Sequence, residues 1–164
     1  MFLHAASCIK NGHVKISIRT ADTDVAVLAI HFSEHAKELW LAFGTGKHFR
    51  HIPVHAIAAR LTQQKVQALP FFHAFSVCVT TSFLCGKGKT TTWRTWESFP
   101  AVTDVFIHLG SGNKPDEDCL GVVDKFVVLI YDKNSLMTDV NEARQRLFSQ
   151  QSRSIGNLPP PQLL

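Results

Sequence analysis

Two carboxylates one residue apart, Asp22 and Asp24, stand where an alternating segment ends, and acids at this spacing suit a hard cation such as Mg²⁺. Upstream of them Val14, Ile16 and Ile18 alternate with Lys15, Ser17 and Arg19, the period-two pattern of a strand buried on one face. Downstream, Val25 to Ile30 is unbroken apolar sequence, so the chain returns at once to the core. In an open α/β sheet the carboxyl ends of the strands are where ligands bind. The same residues also have a plain structural use, in which one Asp N-caps the next helix and its neighbour is solvated.

Three further groupings invite a chemical reading. Gly86-Lys87-Gly88-Lys89-Thr90 looks like a phosphate loop, but a Walker A loop needs a glycine five residues before Gly88, and that position is Phe83. An NTPase is excluded, whereas a lysine-bearing glycine turn between two helices still suits a nucleic-acid backbone. His31-Phe32-Ser33-Glu34-His35 matches the H-x-x-E-H order of inverted zinc proteases. That chemistry needs a long helix and a third ligand, and here the motif occupies a few polar residues between apolar segments, so solvated loop histidines are expected. His51 and His55 straddle Pro53, which keeps them off a common helical face, and both are expected at the surface. No Ser/His/Asp or Cys/His set is recognisable from spacing.

The elements that must position these groups can be laid out from periodicity and punctuation. Residues 1–11 form a short amphipathic helix closed by Asn11-Gly12, and a strand over 14–19 follows. After the aspartates a short helix or strand runs through Ile30. Glu38 to Phe43 is a buried strand closed by Gly44-Thr45-Gly46. Pro53 takes the first helical position of a helix to about Leu61, and Pro70 does the same for Phe71, Ala74, Phe75 and Cys78. Pro100 opens a helix with Val102, Val105, Phe106 and Leu109 on one face and Gly110 past its end. Asp116, Glu117 and Asp118 sit in the first turn of the next helix, whose apolar face is Leu120, Val123, Val127 and Ile130. Asp139-x-x-Glu142 is a capping box for a last helix to about Phe148, and the tail with Pro159-Pro160-Pro161 is expected to be disordered. There is no internal repeat.

A chain of 164 residues with 45% apolar content suits one core. No apolar run approaches the roughly 18 residues that a membrane span needs, and Met1 to Ile9 lacks the basic leader of a signal peptide. An intracellular protein, nuclear or cytoplasmic, without a membrane partner is expected. Cys8, Cys78, Cys85 and Cys119 do not have zinc-knuckle spacing and are expected as reduced thiols. The net charge of +4 is unevenly spread. Between Leu39 and Trp96 there are seven Lys or Arg (Lys47, Arg50, Arg60, Lys65, Lys87, Lys89, Arg94) and no Asp or Glu. From Ala101 onward eight acids outnumber six bases. The acid-free stretch suits phosphate neutralisation, or an ordinary solvated face.

Thr20-Ala21-Asp22-Thr23-Asp24-Val25-Ala26-Val27-Leu28 resembles the Asp-x-Asp strand end in the internal region of the XPG-type, PIN-like nucleases of the flap-endonuclease superfamily. The order of elements after it is similar too: a strand, a helix with Ile52-Pro53, an apolar helix, then a glycine-lysine turn into another helix. More closely, the chain resembles an animal family with repetitive, transposon-like copies. The matching stretches are Ile18 to Ala29, Glu38 to Arg50, Ala68 to Phe75, Thr80 to Phe83 and Gly86 to Trp96, with Tyr131-Asp132-Lys133 and Thr138 to Arg144 beyond them. The resemblance implies an α/β fold: a partial PIN-like parallel sheet with flanking helices over 1–110, a helical extension over 111–150 and a disordered tail over 151–164.

Such nucleases hold two divalent ions about 3.5–4 Å apart, which needs carboxylates from several strand ends. The resemblance places Asp22 and Asp24 among the metal ligands, and Gly86, Lys87, Gly88, Lys89 and Arg94 on nucleic acid, DNA in the first instance. It also places further acids upstream of Met1 and an acid at Val79, where the family has Gly-x-Asp and this chain has Val77-Cys78-Val79. An isopropyl group does not ligate Mg²⁺. Two carboxylates hold at most one weakly bound, hydrated ion. The expectation is a degenerate, catalytically inactive nuclease-like domain that retains backbone binding, with residual Mg²⁺-dependent cleavage or a pure protein-interaction module as the alternatives. A missing first strand would leave an unpaired sheet edge and favour self-association.

Overall fold

The computed structural model describes residues 1–77, 84, 87–149 and 158–160. They form two compact units, Met1–His73 and Ala74–Leu164. The first holds α1 (Phe2–Lys10), β1 (Lys15–Thr20), α2 (Thr23–Phe32), β2 (Glu38–Phe43), β3 (Arg50–Pro53), α3 (Val54–Ala58) and most of α4 (Gln63–Val77). The second holds the end of α4 together with α5 (Lys89–Ser98), α6 (Val102–Gly110), α7 (Glu117–Tyr131) and α8 (Val140–Ser149). None of the helices among the described residues is long and apolar enough to cross a membrane.

The α/β expectation holds, and the all-parallel sheet does not. β1 and β2 pair in parallel, Lys15 against Glu38 through Thr20 against Phe43, with α2 as the crossover. β3 then pairs antiparallel with β2, Phe43 against Arg50. The connection from Phe43 to Arg50 is too short for a crossover, so the strand can only return antiparallel. Gly44 makes the return possible: its φ is +88°, and a Cβ there would lie 2.7 Å from the His48 carbonyl oxygen. Ile16, Ile18, Leu39 and Leu41 turn to one face and form a core with Ala5, Ala29 and Val54. α1 ends as expected, with His13 and Gly12 N–H donating to the Cys8 and Ile9 carbonyls at 3.1 and 2.9 Å.

Of the three prolines expected to open helices, Pro53 and Pro70 are placed differently. Pro53 is the last residue of β3, and α3 starts after it. Pro70 lies inside α4, which begins about two turns earlier because the Thr62 hydroxyl caps it by accepting the Lys65 N–H at 3.2 Å. Pro70 has no N–H to give the carbonyl four residues back, Val66. That carbonyl is met instead by Nδ1 of His31 at 3.3 Å. His55 acts similarly at the sheet. By the β2–β3 register the residue opposite Leu39 would be Val54, which has already turned into α3, and Nδ1 of His55 donates to the Leu39 carbonyl at 3.0 Å. Neither His31 nor His55 is therefore the solvated histidine expected; both are half-buried, and His55 also meets Trp40 edge-on with ring centroids 5.4 Å apart. His35, by contrast, is exposed.

The second unit is built on aromatic rings. Trp96, Phe106 and Phe126 are fully buried, with centroids 5.6 Å apart for Trp96–Phe106 and 5.4 Å for Phe106–Phe126, both edge-to-face. The Trp96 indole N–H donates to the Thr103 hydroxyl at 2.9 Å, so its burial leaves no orphan donor. Gly110 is the last residue of α6 rather than past its end, and Gly112, at φ +79°, makes the turn. Asp116 is the N-cap of α7, accepting from the Cys119 N–H at 2.7 Å, and Asp139 caps α8 through the Glu142 N–H at 2.7 Å. Lys125 donates to the Ser135 and Met137 carbonyls at 2.8 and 2.7 Å and pins the α7–α8 connection. Of the expected tail only 158–160 are described, where Leu158 is buried and the Pro159 carbonyl accepts from Arg144 at 2.9 Å.

Two outcomes are expected from these contacts. His31→Ala costs about 1–3 kcal/mol in urea denaturation because it strips a donor from the Val66 carbonyl, and adding Pro70→Ala, which restores an amide N–H, recovers part of that loss. The hydrogen bond from the Cys119 N–H holds the Asp116 carboxyl below its ordinary pKa. A carboxyl with a depressed folded-state pKa stabilises above its unfolded value and loses that contribution as pH falls through the folded one. Amide protection in the first turn of α7, taken relative to the intrinsic exchange rate at each pH, should fall over that acid range, and in Asp116→Ala that pH-dependent fall should be absent.

Candidate functional site

The two aspartates fall where the sequence puts them, at the carboxyl end of β1, and both are exposed. Their local setting follows from the residue types. The Thr20 hydroxyl accepts the Asp22 N–H at 3.0 Å, which turns the chain out of the strand, and the Asp22 carboxylate accepts the Asp24 N–H at 2.9 Å. Asp22 is thus the N-cap of α2. Asp24 lies in the first turn, where its charge also opposes the positive end of the helix dipole.

A residue missed by sequence reasoning completes the group. Nε2 of His73, on α4, lies 2.8 Å from Oδ1 of Asp24. The histidine side chain is only 15% exposed while the aspartate is 66% exposed, so the pair is anchored on the α4 side and open to solvent on the other. Forty-nine residues separate the two, and no local spacing rule connects them. The pair can hold or pass a proton and orient a polar ligand. As a cation cage the group is incomplete: Asp22 and Asp24 each have one oxygen already engaged, and among the described residues no three of His, Cys, Asp and Glu converge. The residues present do not fit a two-ion centre.

The basic residues singled out in the sequence lie in the other unit. Gly88 is exposed and precedes α5 without offering a capping side chain, and its carbonyl accepts from Thr91 and Thr92 N–H at 2.9 and 3.2 Å. Lys89 is exposed at the first helical position, and Arg94 is exposed farther along. Lys87 is half-buried, its Nζ 5.1 Å from the centre of the Tyr131 ring. Gly86 lies outside the described residues, as do Cys78, Val79 and Cys85; Val77 is the last described residue of α4. The Cys119 thiol is pushed up in pKa by its hydrogen bond with Asp116, which makes it a poor nucleophile.

Comparisons with protein-family models, with curated proteins and with solved structures found no match.

Replacing Asp22 tests its part in the turn. Asp22→Ala is expected to cost about 1 kcal/mol and Asp22→Ser much less, because a hydroxyl caps as a carboxylate does. The Asp24–His73 coupling, measured by a double-mutant cycle, should stay below about 1 kcal/mol, as for other solvent-screened pairs.

Proposed function

We propose that the protein binds the phosphate backbone of nucleic acid without cleaving it, as a degenerate PIN-like, flap-endonuclease-like domain working in the nucleus or cytoplasm. The observation that carries this reading is the start of α5. Gly88 offers no side chain to cap it, so the helix start carries no competing side-chain acceptor of its own, and exposed Lys89 stands in its first turn with Arg94 farther along the same helix. Lys87, held against Tyr131, adds positive charge before the helix begins. Gly88, directly before the helix, gives that approach no side-chain bulk. In the Met1–His73 unit Lys47, Arg50 and Arg60 are exposed as well, within the stretch that has no acid.

The aspartates support the non-catalytic half of the proposal, since capping α2 and bonding His73 accounts for both. A second reading, a Mg²⁺-dependent structure-specific nuclease, is favoured by one observation: the acids stand at the carboxyl end of a strand in a parallel pair, where α/β proteins bind ligands.

Titration of labelled duplex and branched DNA at several salt concentrations separates the readings. Binding should weaken steeply with salt, and Lys89→Ala with Arg94→Ala should reduce the slope of log K against log[salt] by about 2, one phosphate contact for each cation. A salt-independent or undetectable interaction overturns the proposal. Mg²⁺-dependent cleavage that disappears in Asp22→Ala and Asp24→Ala establishes the nuclease instead.

A further inference from the structure

β1 is hydrogen-bonded along one side only. The Val14 and Thr20 carbonyls accept from Glu38 and Gly44 N–H at 3.0 and 2.9 Å, and the alternation of a parallel ladder gives residues 14, 16, 18 and 20 to β2. Lys15, Ser17 and Arg19 therefore turn their N–H and C=O groups to the opposite edge, where no strand pairs among the described residues. Along that edge runs a cavity of about 310 Å³, walled on one side by Met1, His4, Ala5 and Cys8 and on the other by Ile16 to Arg19. Ile16 and Ile18 belong to one face of the strand and Ser17 and Arg19 to the other, so the cavity follows the edge. Met1, on its wall, stays more than half exposed.

The charges on the strand select the occupant. In a two-fold antiparallel pairing of β1 with a second copy, centred on Ser17, Lys15 of each would face Arg19 of the other, and like charges directly opposite are destabilising. A strand carrying carboxylates at those two positions meets the opposite situation. Arg19 has no carboxylate partner among the described residues, its guanidinium lying 6.0 Å from the Phe49 ring centre. Lys15 reaches Glu38 only at 3.7 Å, with both side chains at least half exposed, a contact readily exchanged. The whole Met1–His73 unit carries eight Lys or Arg against four Asp or Glu.

We propose that the free edge of β1 takes up an extended acidic peptide by strand addition, its carboxylates opposite Lys15 and Arg19 and the apolar side chains between them entering the groove beside Ala5 and Cys8. The recognised pattern is acid–apolar–small–apolar–acid, with backbone hydrogen bonds supplying affinity and alternate side chains supplying choice. This interaction does not depend on nucleic-acid binding.

The test uses the full chain and a fluorescein-labelled peptide with the core Glu-Val-Ser-Val-Glu, read by anisotropy. Saturable binding is expected, lost in Ser17→Pro, because proline removes an outward N–H while sparing the ladder to β2. Lys15→Glu with Arg19→Glu should weaken the acidic peptide by about tenfold and create binding to a Lys-Val-Ser-Val-Lys peptide. That charge swap keeps the proposal testable if Ser17→Pro does not fold. No saturable binding, binding untouched by a folded Ser17→Pro, or reversal of charge without reversal of preference overturns it. So does a concentration-dependent dimer abolished by Ser17→Pro, which would give the edge to a second copy.

Discussion

The Met1–His73 unit depends on keeping β2 fully paired. β2 is the central strand, buried at Leu39, Leu41 and Ala42, with β1 on one side and β3 on the other. Buried there without partners, its carbonyls would carry a desolvation cost of about 1–3 kcal/mol each. β3 is only four residues long and ends in a proline, so the ladder stops before β2 does. The imidazole of His55 supplies the donor at Leu39 that a longer strand would have supplied. His31 repeats the device at the Val66 carbonyl, left open by Pro70 in α4. Two prolines interrupt the backbone hydrogen bonding of this unit, and two histidines from elsewhere in the chain complete it.

That use of histidine changes the view of the acid pair. Short polar side chains after a strand serve equally well as ion ligands and as helix caps, because both tasks ask an oxygen to meet positive charge at short range. Here the cap is made, by Asp22, and the second acid is drawn to His73. The site is a hydrogen-bonded turn with both carboxylates exposed and one oxygen of each engaged. An Asp–His pair with its carboxylate in water and its imidazole mostly covered is a modest device, and the second ion-binding wall has no counterpart among the described residues.

In the Ala74–Leu164 unit, stability comes from ring packing around α7. Buried Trp, Phe and Tyr side chains contribute large apolar area and prefer edge-to-face contact, and every buried side-chain polar atom among the described residues has a partner. Lys125 shows the same economy as the histidines: its ammonium closes two loop carbonyls. The exposed cations of α5 are carried by a helix whose opposite side is anchored by buried Thr92, Thr95 and Trp96.

Much of this was legible in the residues alone. Alternation at Val14 to Arg19, the run Glu38 to Phe43, the caps at Asp116 and Asp139 and the apolar faces of α6 and α7 are local patterns, and local patterns follow from helix and strand periods. The capping use of an aspartate after β1 was legible too, as one of two readings. What only the tertiary structure decided were the long-range pairings: His73 on Asp24, His31 on Val66, His55 on Leu39, and the antiparallel return of β3. None has a spacing rule, because each depends on which carbonyl or carboxylate a fold leaves unpaired, and that is settled only when distant segments meet. The free edge of β1 is of the same kind, since a strand's sequence records its buried face but not how many neighbours it has.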